Sequence, residues 1–424
     1  MHREELIHWI WLAEAIARSG GTFRKLIGYF DRPKDLLEAD EETIRTIPEL
    51  SERSIRGLMK KDLTEATKIF DACERLGVSV LPYSAEQFPQ ILREIPDPPI
   101  LLYYVGQFPD FAHLFCIGMV GTRKMSESGM QIGYRLSYEL ASAKALVISG
   151  LAEGIDGVCA VGAVAGGGKT VAVVGCGLDI VYPRHHEELM KHIVESGGAI
   201  LSEYPPGTRP MHYHFPIRNR IISGLSQVVI VVEAGGMSGS LITAKEAITQ
   251  GRAVYAVPAS TEIAAAEGNN QLLRDGAKVV LEAQDIVDRY RYVFEARPLA
   301  ERVRKLTAGA DKDALRRYGV IDFDRSIPRA ETGAAKQAQK VPQSMSASNV
   351  ATPKAEPKQS VPDDILRSLS PVQKAVLEAM PDDVPVTAES IKTEYPLGEV
   401  LAAFTMLEIL GIVRKLPGSM YGKV

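Results

Sequence analysis

Residues 212–224 read HYHFPIRNRIISG, which crowds rings and fixed positive charges into one turn ahead of an apolar run. That mixture suits a single-stranded polyanion. An exposed ring stacks on any nucleobase, worth about 1–3 kcal/mol per base, while adjacent arginines track the phosphates. The plain alternative is that Tyr213 and Phe215 are core and that Arg218 and Arg220 are solvated. Two further stretches carry anion chemistry. MVGTRKMSESG places Gly121, Thr122 and Arg123 directly after an apolar run, with Ser126 set to cap the next helix. Bare backbone, a hydroxyl and a guanidinium suit an anion there, although a tight turn with a paired arginine would look the same. EAGGMSGSLITAKEA adds Gly235, Gly236 and Gly239 with exposed amides, and Ser238, Ser240 and Thr243 with hydroxyls at a helix start. It reads as a second anion nest. In SGLAEGID, Asp156 could cap the helix or orient a basic neighbour, and capping is the preferred reading.

Other chemistries lack their residues. AVAGGGKT at 163–170 has Ala163 where a phosphate-binding loop needs its first glycine, and Lys169 opens a strand, so it reads as a helix-ending loop. GCGLDI loses a dinucleotide fingerprint at Ile180. His186 and His192 are six apart, not the four that zinc chelation needs, and read as surface histidines. There is no G-x-S-x-G elbow, and no cysteine has a histidine-rich neighbourhood. No catalytic residue, metal or cofactor is expected.

These groups need a scaffold. From Leu114, the apolar runs LFCIGMVG, ALVISG, KTVAVVG, AILSEYP, QVVIVVEAG, AVYAVPA and KVVLEA alternate with helical periodicity. Continuous apolar strands separated by helices indicate a parallel sheet covered on both faces, an α/β, Rossmann-like doubly wound domain whose ligands gather at strand ends. The segmentation expected is a helical domain without strands over 1–82, the Rossmann-like domain over 83–292, a linker over 293–362 that is disordered from about 331, and a winged-helix-like domain over 363–424. In that last domain Ser370 and Pro371 open a helix, IVRKLPGSMYGKV forms a hairpin, and acids outnumber bases, which favours a protein contact over duplex recognition.

The chain has 424 residues and a formal net charge of −4, so any nucleic-acid role rests on a local patch. Four separated cysteines, an N-terminal apolar run too short for a signal, and no spanning segment lead to the expectation of a cytoplasmic protein with reduced thiols and no membrane partner.

Taken together, VGTR, VISGLAEGID, VAVVGCGLDIVYP, ILSEYPPGT, FPIRNRIISGLS, VVEAGGMSGSLITAKEAITQGR, VYAVP and GNNQLLRDGA, in this order over roughly 115–280, resemble the DNA-processing protein A (DprA/Smf) family. The resemblance implies a dimer that binds single-stranded DNA without sequence preference and loads the RecA recombinase in natural transformation. It implies a phosphate at Gly121 and Arg123, a base at Phe215, and a strand path along Arg218, Asn219 and Arg220. It also implies an anion nest at Ser238, Gly239, Ser240 and Thr243, with Asn269 and Asn270 completing the pocket. The chain departs from the family pattern at GVCAVGA, where an Ala-His pair is usual, and at VPAS, where Ala259 replaces glycine. IPELSERSI resembles half of a helix-hairpin-helix with Glu49 in the glycine's place, which implies a structural or protein-binding role. The alternative is a Rossmann-like enzyme or sensor for a nucleotide-derived small molecule. Glu246 is displaced from the catalytic position of such enzymes and reads as an exposed helix acid.

Overall fold

The computed structural model describes residues 2–260, 267–290, 306, 308–322 and separate stretches between 369 and 423. The chain divides into two units, 1–338 and 339–424.

In the first unit, nine strands among the described residues form one sheet: β1 (Ser79–Pro82), β2 (Leu101–Gly106), β3 (Cys116–Val120), β4 (Leu146–Ser149), β5 (Thr170–Val174), β6 (Ala199–Ser202), β7 (Val228–Val231), β8 (Ala253–Ala256) and β9 (Lys278–Val279). Their spatial order is β1-β2-β6-β5-β4-β3-β7-β8-β9. The strands from β6 to β9 run parallel, and β1 and β2 add an antiparallel edge. All seven apolar runs read from the sequence are therefore strands of one doubly wound sheet.

Alternation along each central strand feeds two cores. Cys116 and Val120 of β3, Leu146 and Ile148 of β4, and Val229 and Val231 of β7 face one core. Ile117, Met119, Val147, Val228 and Ile230 face the other. Burial on both faces explains why these strands read as unbroken apolar runs. The crossover helices are α8 (Glu127–Ser142), α9 (Ile155–Ala165), α10 (Glu187–Glu195), α11 (His214–Gly224) and α12 (Gly239–Thr249). Sequential strands switch direction across the sheet between β3 and β7, which makes the crevice beyond their carboxyl ends the expected ligand position.

Residues 1–82 hold six helices: α1 (Arg3–Ala15), α2 (Gly20–Leu26), α3 (Pro33–Glu38), α4 (Glu41–Arg45), α5 (Glu52–Met59) and α6 (Thr64–Leu76). The strand β1 corrects the expectation of a strand-free segment: Ser79–Pro82 pairs with β2. The helices pack through Trp9, Ile10, Phe23 and Leu58 onto Leu101 and Tyr103 of β2, so this region and the sheet share a core. Glu49 stands in the left-handed region, at φ +59°, where a glycine is favoured, and its carboxylate pairs with Lys25 at 2.8 Å.

A second correction concerns the linker expected over 293–362. Within it, Lys312–Arg317 is helical, capped by Asp311, and Leu306, Leu315 and Val320 join the core formed by Tyr134, Val158 and Leu189. Tyr318 stacks on His192 with ring centroids 4.5 Å apart. The stretch expected to be disordered from about 331 lies outside the described residues.

In the second unit, Pro371–Ala379 is a helix opened by a reciprocal capping box between Ser370 and Gln373. Val413–Leu416 and Met420–Lys423 pair antiparallel as the expected hairpin, and Val386–Thr387 joins them. Phe404 stacks on Tyr421 at 4.1 Å inside a small core with Val376 and Leu407. Among the described residues, no helix is long and apolar enough to cross a membrane.

Candidate functional site

Five strand ends converge on one cleft of about 450 Å³. The turn after β3 contributes Gly121, Thr122 and Arg123, that after β4 contributes Ala152 and Asp156, and that after β5 contributes Tyr182. The segment after β6 contributes His212, Phe215, Arg218 and Asn219, and that after β7 contributes Ser238, Gly239, Ser240 and Thr243. The volume falls within the roughly 300–1,000 Å³ typical of ligand pockets.

Close backbone packing sets the floor. A Cβ on Gly154, which sits at φ +81°, would lie 2.3 Å from the Thr122 carbonyl oxygen. Only glycine lets the loop before α9 lie against the turn after β3. The Asp156 carboxylate then accepts from the amides of Gly150 at 3.0 Å and Gly121 at 3.4 Å. It ties two strand ends together and does not cap α9, whose first turn has no side-chain cap. Burial raises the Asp156 pKa, and the nearby Arg218 guanidinium opposes that rise.

Arg218 is itself buried. It donates from Nη1 to the carbonyl of Gly150 at 2.6 Å and to that of Val173, and from Nε to Asn219 Oδ1 at 3.2 Å. Burial lowers its pKa and Asp156 resists the change, leaving a charged group beneath the cleft. Arg218 therefore places a positive charge beneath the cleft while its side-chain hydrogen bonds go to the fold. Asn219 passes the connection on, donating to the Gly239 carbonyl at 3.3 Å and fixing α11 against the start of α12.

The walls are chemically different from one another. Phe215 is half-buried, with the Tyr182 ring centroid 5.3 Å away and the guanidinium carbons of Arg123 and Arg218 at 5.4 and 5.8 Å from its ring. Arg123 is exposed, so its charge can leave the ring for a ligand. Opposite stands the start of α12, where Ser238 accepts from the Ser240 amide at 3.4 Å and its hydroxyl meets that of Ser240 at 2.7 Å. A Cβ on Gly239 would touch nothing within 4 Å, so this helix N-terminus is open. The other helix start is filled. The Glu233 carboxylate accepts from the Ser126 amide at 2.9 Å and from its hydroxyl at 3.2 Å, and Ser126 caps Gly129 as expected. An anion at the turn after β3 is left with Arg123 and Thr122, not with α8.

Three expected contacts lie elsewhere. Arg220 is buried and pairs through Nη2 with Glu203 at 2.7 Å and through Nε with Asp97 at 2.8 Å. Asn269 is buried, donating to the carbonyls of Val231, Val232 and Val257 at 2.8–3.0 Å, so it ties β7 to β8. Asn270 accepts from the Ala259 amide at 3.2 Å and donates to its carbonyl at 3.0 Å, bracing the turn where the chain departs from glycine. His186 is likewise no surface histidine: it is buried, and its Nδ1 donates to the Leu151 carbonyl at 3.1 Å. Tyr182 and His212 were not among the expected site residues. Tyr182 closes the run after β5, and His212 begins the ring-rich stretch itself, so position at a strand end was the signal for both.

The family model described as DNA recombination-mediator protein A matches residues 79–291. The chain is 36% identical over 344 residues to Protein Smf of Synechocystis sp., covering 79% of this chain and 77% of that protein. It is 40% identical over 221 residues to DNA processing protein DprA of Bacillus subtilis, covering 52% of this chain and 74% of that protein. The X-ray structure of DprA from Streptococcus pneumoniae aligns with a TM-score of 0.57 at 32% identity, over 66% of this chain and 95% of that one.

Proposed function

The chain belongs to the DNA recombination-mediator protein A family, the DprA/Smf proteins, and we propose that it is a non-catalytic protein that binds single-stranded DNA at the cleft and passes the strand to the RecA recombinase. The observation that carries this reading is the juxtaposition of Phe215, the exposed Arg123 and the open start of α12 in one cleft. A ring takes a base, and two separate positive ends take successive phosphates. Neither wall selects a base edge, so binding is independent of sequence. The catalytic alternative has less support: Glu246 lies outside the cleft lining, and Asp156 is engaged by two backbone amides and Arg218.

The proposed recombinase loading and role in natural transformation rest on the family resemblance alone. The apolar Val279 and Leu281, exposed at and just beyond the edge strand β9, support self-association through the Rossmann-like domain. The deciding measurement is fluorescence anisotropy with a labelled single strand, its duplex and a mononucleotide competitor over a salt series. Tight, salt-dependent binding to the single strand that resists the mononucleotide supports this function. Efficient displacement by the mononucleotide moves the nucleotide-sensor reading ahead of it.

A further inference from the structure

Tyr213 stands just outside the cleft and is half exposed, at 50%. Its ring lies nearly perpendicular to two imidazoles, with centroids 5.4 Å from His212 and 4.7 Å from His214. His214 is anchored by stacking on Tyr204 at 4.0 Å and by a hydrogen bond from Nδ1 to the Gly175 carbonyl at 3.1 Å. The tyrosine is thus held in place from both sides while half of it stays open to water. Holding an exposed ring in one orientation lowers the entropy lost when a flat ligand stacks on it.

Tyr213 has helical backbone angles at the N-cap of α11. Phe215, two residues on, therefore leaves the helix start in nearly the opposite direction. The two rings do not share the cleft. His212 joins them, because it lines the cleft and touches Tyr213. Beyond Tyr213, Ile217 lies one helical turn further on the same face and is 44% exposed, which extends a flat apolar strip. Arg209, on the loop leading into α11, is exposed and forms no ion pair with an acid among the described residues.

We propose that Tyr213 is a second base platform, outside the cleft, which takes a nucleobase further along the strand than the two nearest Phe215, as the strand passes over His212, with Arg209 meeting the backbone there. The occupant is single-stranded nucleic acid because the strip continues from the cleft through His212 and holds a fixed ring, with an exposed guanidinium on the adjoining loop that forms no ion pair among the described residues. This inference rests on the reading of the cleft as a single-strand site. It extends the footprint beyond what the cleft alone can hold.

The test uses the full chain and its Tyr213→Ala, Tyr213→Phe and Phe215→Ala variants, checked for equal thermal unfolding midpoints. Each is titrated with a labelled oligothymidylate of about 20 nucleotides and then competed with a thymidine dinucleotide. Tyr213→Ala is expected to weaken the long strand on the order of tenfold, leave the dinucleotide's affinity unchanged, and be rescued by Tyr213→Phe. Phe215→Ala is expected to weaken both ligands. If Tyr213→Ala binds the long strand normally while Phe215→Ala does not, the platform is overturned and the cleft reading stands. If Tyr213→Ala weakens both ligands equally, the ring belongs to the cleft and the second platform is overturned. If neither alanine variant changes binding, the cleft reading fails and takes the platform with it.

Discussion

The Arg123 guanidinium carbon lies 5.4 Å from the centre of the Phe215 ring, so the exposed charge of the turn after β3 rests on the aromatic group of α11. This contact joins the two chemistries a single strand requires, and it is weak enough to exchange. A cation over a ring at an exposed site is worth about 0.5–1 kcal/mol, less than a charge-assisted hydrogen bond to phosphate of about 1.5–3 kcal/mol. Under the proposed function, a phosphate at this turn would draw Arg123 off the ring.

Arg123→Ala should weaken single-strand binding and reduce its salt dependence together. Each phosphate neutralised on a single strand contributes about 0.7 to the slope of log K against log salt. Anisotropy titrations over a salt series should give a slope smaller by about that amount. A lower affinity with an unchanged slope would assign Arg123 to packing against Phe215.

Gly239→Asp tests the opposite wall. The new Cβ enters open space, and an acid in the first turn of α12 favours the helix dipole, so the fold should keep its stability within about 0.5 kcal/mol. Its carboxylate would occupy the place proposed for a phosphate. Binding should fall tenfold or more, on the order of 1.4 kcal/mol, with an unchanged unfolding midpoint. Retained affinity would remove the start of α12 from the strand's path.

How far the site was legible depends on where its partners lie in sequence. The strands β3 to β9 could be read because burial on both faces writes itself as continuous apolar runs. The antiparallel edge of β1 and β2 has no crossover helix to announce it, and the capped turn at Lys312–Arg317 is too short for its periodicity to stand out in a polar stretch. Gly121, Arg123, Phe215 and the Ser238–Thr243 stretch line one cleft, and each could be singled out because it follows a strand end. Arg220 was misplaced although helix geometry argued against it, since residues two apart on α11 point in nearly opposite directions. What the sequence could not display is that Glu203 and Asp97 wait on that other side. Asn269 and Asn270 were misread for a related reason: an amide that braces backbone carbonyls has the same letter as one that meets a ligand.

Arg220 therefore belongs to the fold, and its replacement should show as lost stability. Burial works against its charge, but Glu203 and Asp97 together carry its pKa above the ordinary arginine value. Arg220→Met would leave Glu203 buried without its hydrogen-bonded partner and with only the Arg18 charge nearby, at a cost of about 3 kcal/mol. The urea midpoint should drop accordingly. A variant with wild-type stability but weak DNA binding would restore Arg220 to the strand's path.

His186 makes the fold sensitive to acid. Burial, with His185 adding to it, lowers its pKa from 6.5 to about 3, and its neutral ring donates to Leu151 on the loop that also supplies Ala152 to the cleft. Above pH 6.5 the ring is neutral in both folded and unfolded chains, and the stability it allows is fully present. As pH falls from there towards 3, the unfolded chain takes up a proton that the folded chain refuses, so stability falls by up to about 1.4 kcal/mol per pH unit from this group. Urea unfolding at pH 7 and pH 5 should show that loss in the wild type and a smaller one in His186→Leu. Equal pH dependence in the two proteins would mean that other groups govern acid sensitivity and that His186 titrates normally in the fold.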